Sequence, residues 1–161
     1  MKIKRITEME VERKDLQIGD KLQIADAEWK VLDIQDGKAL IWKCTKITDH
    51  VFNKNGSNVY EGSDIQKYLQ EDFPETMTVE IMEDVTEEGF FLLTVEQILQ
   101  YMPNEIDRIA TDEENLTTWY WTASPYVGYG SIVRVIYPSG GVHINYAYSS
   151  SGVAPACWIH L

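Results

Sequence analysis

No stretch of this 161-residue sequence approaches the roughly eighteen consecutive apolar residues that a membrane-spanning helix needs, the densest runs being Ala39 to Trp42 and Phe90 to Leu93. No membrane span is expected. Cysteine is nearly absent: Cys44 and Cys157 stand far apart and make no disulfide scaffold, which fits a reduced, cytoplasmic interior. Met1 to Lys14 alternates charges with single apolar residues and lacks the apolar core of a secretory signal, so none is visible. Basic residues are also few. Fourteen Lys and Arg against 26 Asp and Glu leave a formal net charge of −12, which disfavours nucleic-acid phosphates and anionic lipid as partners. The residues that are present, 44% hydrophobic and 11% aromatic, exclude a disordered chain and fit one globular domain.

Charge is missing from one end above all. Every acidic residue lies between Glu8 and Glu114, and residues 116–161 carry a single formal charge, Arg134. That tail holds six of the nine tyrosines and five of the ten glycines, and Thr122 to Cys157 contains no Lys, Asp, Glu, Gln, Met or Trp. Ordinary surfaces are charged, so such a tract is either buried or kept neutral for a purpose. The chain therefore divides into residues 1–15 as an N-terminal extension or edge segment, 16–115 as an acidic scaffold half, and 116–161 as a Tyr/Ser/Gly-rich β half.

Local patterns predict the layout. Lys21 to Ile24, Glu28 to Ile34 and Lys38 to Lys43 read as an antiparallel meander, with turns at Ala25 to Ala27 and at the Asp36-Gly37 pair. Ser63-Asp-Ile-Gln66 has capping-box spacing, and Ile65, Tyr68 and Leu69 follow at helical intervals until Pro74. Phe90 to Leu93 reads as a strand. Thr94-Val-Glu-Gln97 then caps a second helix whose Val95, Ile98, Leu99 and Met102 form one apolar stripe before Pro103. Beyond the acidic connection Asn104 to Asn115, period-two patterns predict strands at Thr117 to Ala123, Ser131 to Tyr137, Val142 to Ala147 and Val153 to Ile159, with flexible loops at Gly128 to Gly130 and Ser149 to Gly152. The fold class expected is α+β, two short helices bracing a mostly antiparallel sheet.

Catalytic motifs are thin. Cys157 and His160 lie three residues apart on one strand, which sends their side chains to opposite faces. Ala123-Ser-Pro is no nucleophile elbow, and Gly128-Tyr-Gly130 opens no helix that would cradle phosphate. The terminal third has no acid, so no calcium is expected there. Asp112-Glu-Glu-Asn115 is read as a solvated loop, and His50, His143 and His160 lack ligand spacing. No catalytic residue, metal or cofactor is expected.

Trp119-Tyr-Trp-Thr-Ala-Ser-Pro125, Val133-Arg-Val135, Ser139-Gly-Gly-Val142 and Gly152-Val-Ala-Pro-Ala-Cys-Trp-Ile159 resemble the signature of an uncharacterised bacterial domain family, typically W-W-L-R-S-P, a strand, a Gly turn and G-V-R-P-A-L-W-I. Trp29 to Leu32, Ala39 to Ile41 and Phe91 to Thr94 follow that family's order, so the resemblance covers residues 16–161. It implies a single C-type-lectin-like domain. Tyr126-Val-Gly-Tyr-Gly-Ser-Ile132 and His143 to Ser151 are similar to the variable tails of diversity-generating retroelement proteins, where adenine-directed mutagenesis yields Tyr, Ser, Gly, Asn and His but not Lys, Gln, Glu, Met or Trp. The family's two arginines are Ala123 and Ala154 here, so Arg-based contacts at those positions are absent.

The residues themselves give a compatible reading. Tyr with Ser and Gly is the composition of antibody paratopes, a large amphipathic contact on an adaptable backbone. The candidate binding residues are Tyr126, Tyr129, Ser131, His143, Asn145, Tyr146 and Tyr148, with Tyr137 and Trp119 or Trp121 assigned to the core. The expected function is a non-enzymatic recognition module for a protein or cell-surface ligand, cytoplasmic or carried on a phage particle. Two alternatives stand beside it: ordinary strand and loop tyrosines, since tyrosine is a good strand former, or a small enzyme or cofactor-binding protein on the same fold, similar to formylglycine-generating enzymes.

Overall fold

The computed structural model describes residues 3–5 and 10–161. Part of the expected edge segment, residues 1, 2 and 6–9, lies outside the described residues. β1 (Ile3–Arg5) and β2 (Glu10–Val11) lie at the outer end of a sheet. Inward of them comes the meander of β3 (Lys21–Ile24), β4 (Ala27–Gln35) and β5 (Lys38–Lys43). Its two turns place both central residues at positive φ, Ala25 and Asp26 at 49° and 62°, Asp36 and Gly37 at 49° and 74°. This is the hairpin geometry whose twist matches that of the strands. The C-terminal strand β13 (Ala156–His160) pairs antiparallel with β5, completing the order β13-β5-β4-β3-β1-β2.

A second sheet carries the Tyr/Ser/Gly half. Introducing β6 (Asp49–Val51), β7 (Ala110–Thr111), β8 (Thr117–Thr118), β9 (Tyr120–Pro125), β10 (Ile132–Ile136), β11 (Val142–Tyr146) and β12 (Ser150–Gly152), its order is β11-β10-β9-β12-β6. Within this sheet β12 meets β9 in parallel, Gly152 against Tyr120. It needs glycine, because a Cβ at 152 would lie 2.5 Å from the Trp119 carbonyl oxygen. β7 and β8 form a separate two-stranded ladder.

Helices α1 (Asp64–Glu71), α2 (Val79–Met82) and α3 (Val95–Tyr101) complete a mixed α+β domain with mostly antiparallel sheets. The cap residues are the expected ones: Ser63 Oγ accepts from the Gln66 N–H, and Thr94 with Gln97 forms a reciprocal capping box. α2 is one further turn that no cap or stripe announced. One apolar cluster joins the meander to α1 through Trp29, Phe52, Ile65, Leu69, Phe90 and Trp121; a second joins α3 to β5 and β9 through Trp42, Ile98, Met102, Tyr120 and Ile136.

Several details differ from the expectation. Leu99 is 42% exposed while Val95, Ile98 and Met102 are buried, so the stripe of α3 is narrower than its sequence period. Phe90 to Leu93 forms no strand beyond one bridge, Phe91 to Ala156, because it is buried between the clusters rather than paired along its length. The last predicted strand, Val153 to Ile159, begins only at Ala156, Val153 to Pro155 lying in no strand, and the expected flexible loop instead holds β12 against β6. Thr117 to Ala123 is likewise divided, β8 pairing with β7 and β9 with β10.

Candidate functional site

The loop between β9 and β10 presents two tyrosines. Tyr126 and Tyr129 stack with ring centroids 5.3 Å apart and 28° between planes, and are 37% and 58% exposed; Val127 between them is 90% exposed. Such exposure is normally paired with mobility, yet this loop is clamped from the other half of the chain. Asn58, buried, donates its side-chain amide to the carbonyls of Tyr129 (2.8 Å) and Ile132 (3.0 Å), and its backbone N–H to Gly130 (2.9 Å). Three further turn bonds, Tyr126 N–H to Ile132, Tyr129 N–H to Tyr126 and Ile132 N–H to Tyr129, close it on itself.

A second pair stands at the end of β11. Tyr146 and Tyr148 stack at 5.2 Å and 14°, 48% and 59% exposed. Ala147 between them is buried, donating its N–H to Ser131 and accepting from the Asn53 N–H, so the two rings stand outward on a pinned backbone. Ser131, half-buried, thus serves through its carbonyl. Both pairs rest on the segment from residue 53 to 58, which the sequence did not mark: neither Asn53 nor Asn58 sits in a recognisable local motif.

His143 and Asn145 share a strand face, opposite Val135 and Val133 in register. The structure divides them. His143 stacks on Tyr137 at 4.1 Å, and Trp119 meets the same tyrosine edge-on at 4.2 Å. Trp121 is in the core as expected, donating Nε1–H to the His50 carbonyl, but Trp119 and Tyr137 are only half-buried and belong to this surface group. Asn145 instead turns to Ser151, its Nδ2 donating to Oγ at 3.3 Å, while its Oδ1 accepts from the Tyr146 N–H. It lines an open hollow of about 300 Å³ with Asp49, Thr118, Trp119, Ile144, Ser150 and Ser151. Asp49 brings an acid to a face whose own segment has none. No local signal announces it, since β6 reaches the face only through pairing with β12.

Other hollows lie away from the tyrosine pairs. One of about 460 Å³ lies between β4 and the end of α3, where Lys30 donates to the Asp107 carbonyl and Tyr101 to Asp33. An acidic hollow of about 330 Å³ includes Asp26, Glu28, Asp112 and Glu113, but Asp112 is spent on its own turn, accepting from the N–H groups of Glu114 and Leu116. Among the described residues no group of three or more His, Cys, Asp or Glu could hold a metal ion, and no helix is long and apolar enough to cross a membrane. Both thiols are buried. Burial, then the Glu28 carboxylate, pushes Cys44 up to about 12, and burial alone pushes Cys157 up. Cys157 faces the core while His160 is exposed, as strand alternation requires.

Residues 82–161 match the family described as a domain of unknown function, DUF6273, a span that includes α3, β9 to β13 and both tyrosine pairs. No curated protein and no solved structure matches the chain.

Proposed function

We propose that the chain is a non-enzymatic recognition module that binds a protein or cell-surface ligand through the Tyr/Ser/Gly face formed by Tyr126, Tyr129, Tyr146 and Tyr148. The observation that carries this reading is the pair of exposed tyrosine stacks on backbone clamped from the distant segment 53–58. Rigid amphipathic rings lose little side-chain entropy on binding, which is why tyrosine anchors interfaces. A net charge of −12 speaks against nucleic acid as the partner. Buried, protonated thiols speak against the cysteine chemistry of the formylglycine-generating alternative, because the thiolate is the nucleophile. The C-type-lectin-like fold and diversification of residues 122–157 belong to the same proposal, as does residence in the cytoplasm or on a phage particle. Neighbouring DNA encoding a reverse transcriptase and a near-copy of those codons, differing at adenines, is the genetic observation that supports diversification.

The direct test replaces Tyr126, Tyr129 and Tyr148 by alanine together. Exposed substitutions usually cost under about 0.5 kcal/mol of stability, whereas interface tyrosines often contribute more than about 1 kcal/mol of binding. Thermal melting should therefore change little while ligand binding to the intact chain is lost. A large fall in melting temperature would assign the rings to the fold and remove the basis of the proposal.

A further inference from the structure

We infer that the hollow between β6, β11 and β12 receives an arginine side chain of the bound partner, an inference that rests on the recognition reading above. Asp49 is the one charged residue lining this hollow, and its carboxylate forms no ion pair with any described residue. Thr118, Ser150, Ser151 and Trp119 line the same hollow. No cation lines the space, so phosphate and carboxylate groups would enter beside Asp49 with nothing to offset repulsion.

A guanidinium fits this set better than an ammonium does. It is planar and stacks on aromatic rings, and its five N–H donors take several acceptors, which Asp49 together with Thr118, Ser150 and Ser151 in the same lining can supply. Part of the lining is held in place before binding. Asn145 is fixed at both ends by Ser151 and the Tyr146 N–H; Ser151 is buried; and Gly152, paired with Asp49, donates its N–H to the Trp119 carbonyl, where no side chain at 152 would fit, so β12 is held between β6 and β9. Preorganised acceptors give a charged side chain hydrogen bonds without the cost of ordering them. The hollow continues directly into Asn145 and Ile144 on β11, the strand that ends in Tyr146, so one ligand can touch the stacked tyrosines and extend an arginine into the hollow.

The test titrates the full ¹⁵N-labelled chain with N-acetyl-arginine amide and, separately, with its neutral isostere N-acetyl-citrulline amide. The expected result is saturable shifts of the Trp119 indole N–H and the Asn145, Ser150 and Ser151 amides with the arginine probe alone. Asp49→Asn should weaken that response at least tenfold without changing thermal melting, Asp49 being exposed. Equal binding of citrulline, an unaltered response in D49N, or no saturable shift at these residues would each overturn the inference. The alanine triple variant at 126, 129 and 148 separates the two proposals, since none of those residues lines the hollow. Retained arginine binding with unchanged ligand affinity in that variant would sink the tyrosine face alone; lost ligand affinity with no arginine response would sink the hollow alone.

Discussion

At the scale of single residues, Tyr126 and Tyr129 depend on one buried amide. Replacing Asn58 by alanine removes two side-chain hydrogen bonds, to the carbonyls of Tyr129 and Ile132, which then keep only the turn N–H groups of Ile132 and Tyr126, and two such bonds together contribute about 1–3 kcal/mol. Urea unfolding of Asn58→Ala should register a loss of that size, with ligand affinity falling because the loop is no longer held. A midpoint within error of the wild type would show the clamp to be dispensable. Tyr126, Tyr129 and Tyr148 were legible in the sequence because nearby Gly and Ser mark them as loop residues, whereas Tyr146 ends β11. Asn58 and Asp49 were not. Each acts across a separation of some seventy residues or more, and a lone polar residue carries no local sign of the carbonyl or hollow that it will meet.

At the scale of elements, α3 gives the sharpest contrast. Ile98 is buried in the second cluster and Leu99 is 42% exposed, although the periodicity treats them alike. Ile98→Ala should cost about 2–5 kcal/mol in chemical denaturation and Leu99→Ala under about 0.5 kcal/mol. Thr94→Ala, which removes half of a capping box, should fall between them at about 1 kcal/mol. Equal losses at 98 and 99 would contradict this packing. The meander and both capped helices were legible since turn residues and caps are local chemistry. Phe90 to Leu93 reads as a strand yet pairs at one bridge alone, because an apolar run of four reports burial without reporting a ladder. β12 was missed for the converse reason: Ser150-Ser-Gly152 has poor strand propensity, and its pairing is imposed by β6 and β9 on either side.

At the scale of the whole molecule, stability should decline on the alkaline side. Burial raises Cys44 and Tyr60 to about 12, and raises Cys157 and Tyr120 as well. In the unfolded chain these groups titrate near about 8.5 for cysteine and about 10 for tyrosine, so between those values and the folded ones only the native state keeps its protons. Their contribution is complete below about pH 8.5 and is lost as the pH climbs toward 12. Lys43, lowered chiefly by burial, opposes the trend. Urea midpoints should therefore drop between pH 8 and 11, and less steeply in a Cys44→Ala, Cys157→Ala variant; a flat profile would mean that the buried thiols and phenols open to solvent. The close approach at Gly152, and at Gly140 where a Cβ would fall on the Glu105 carbonyl, has a further consequence for a gene of the proposed kind. Glycine is written GGN. A template copy that already reads GG at these two codons offers the process no adenine in their first two letters, so the proposal requires GG, and not AA, at positions 140 and 152 of that copy; an adenine there would scatter side chains into two places that have no room for one.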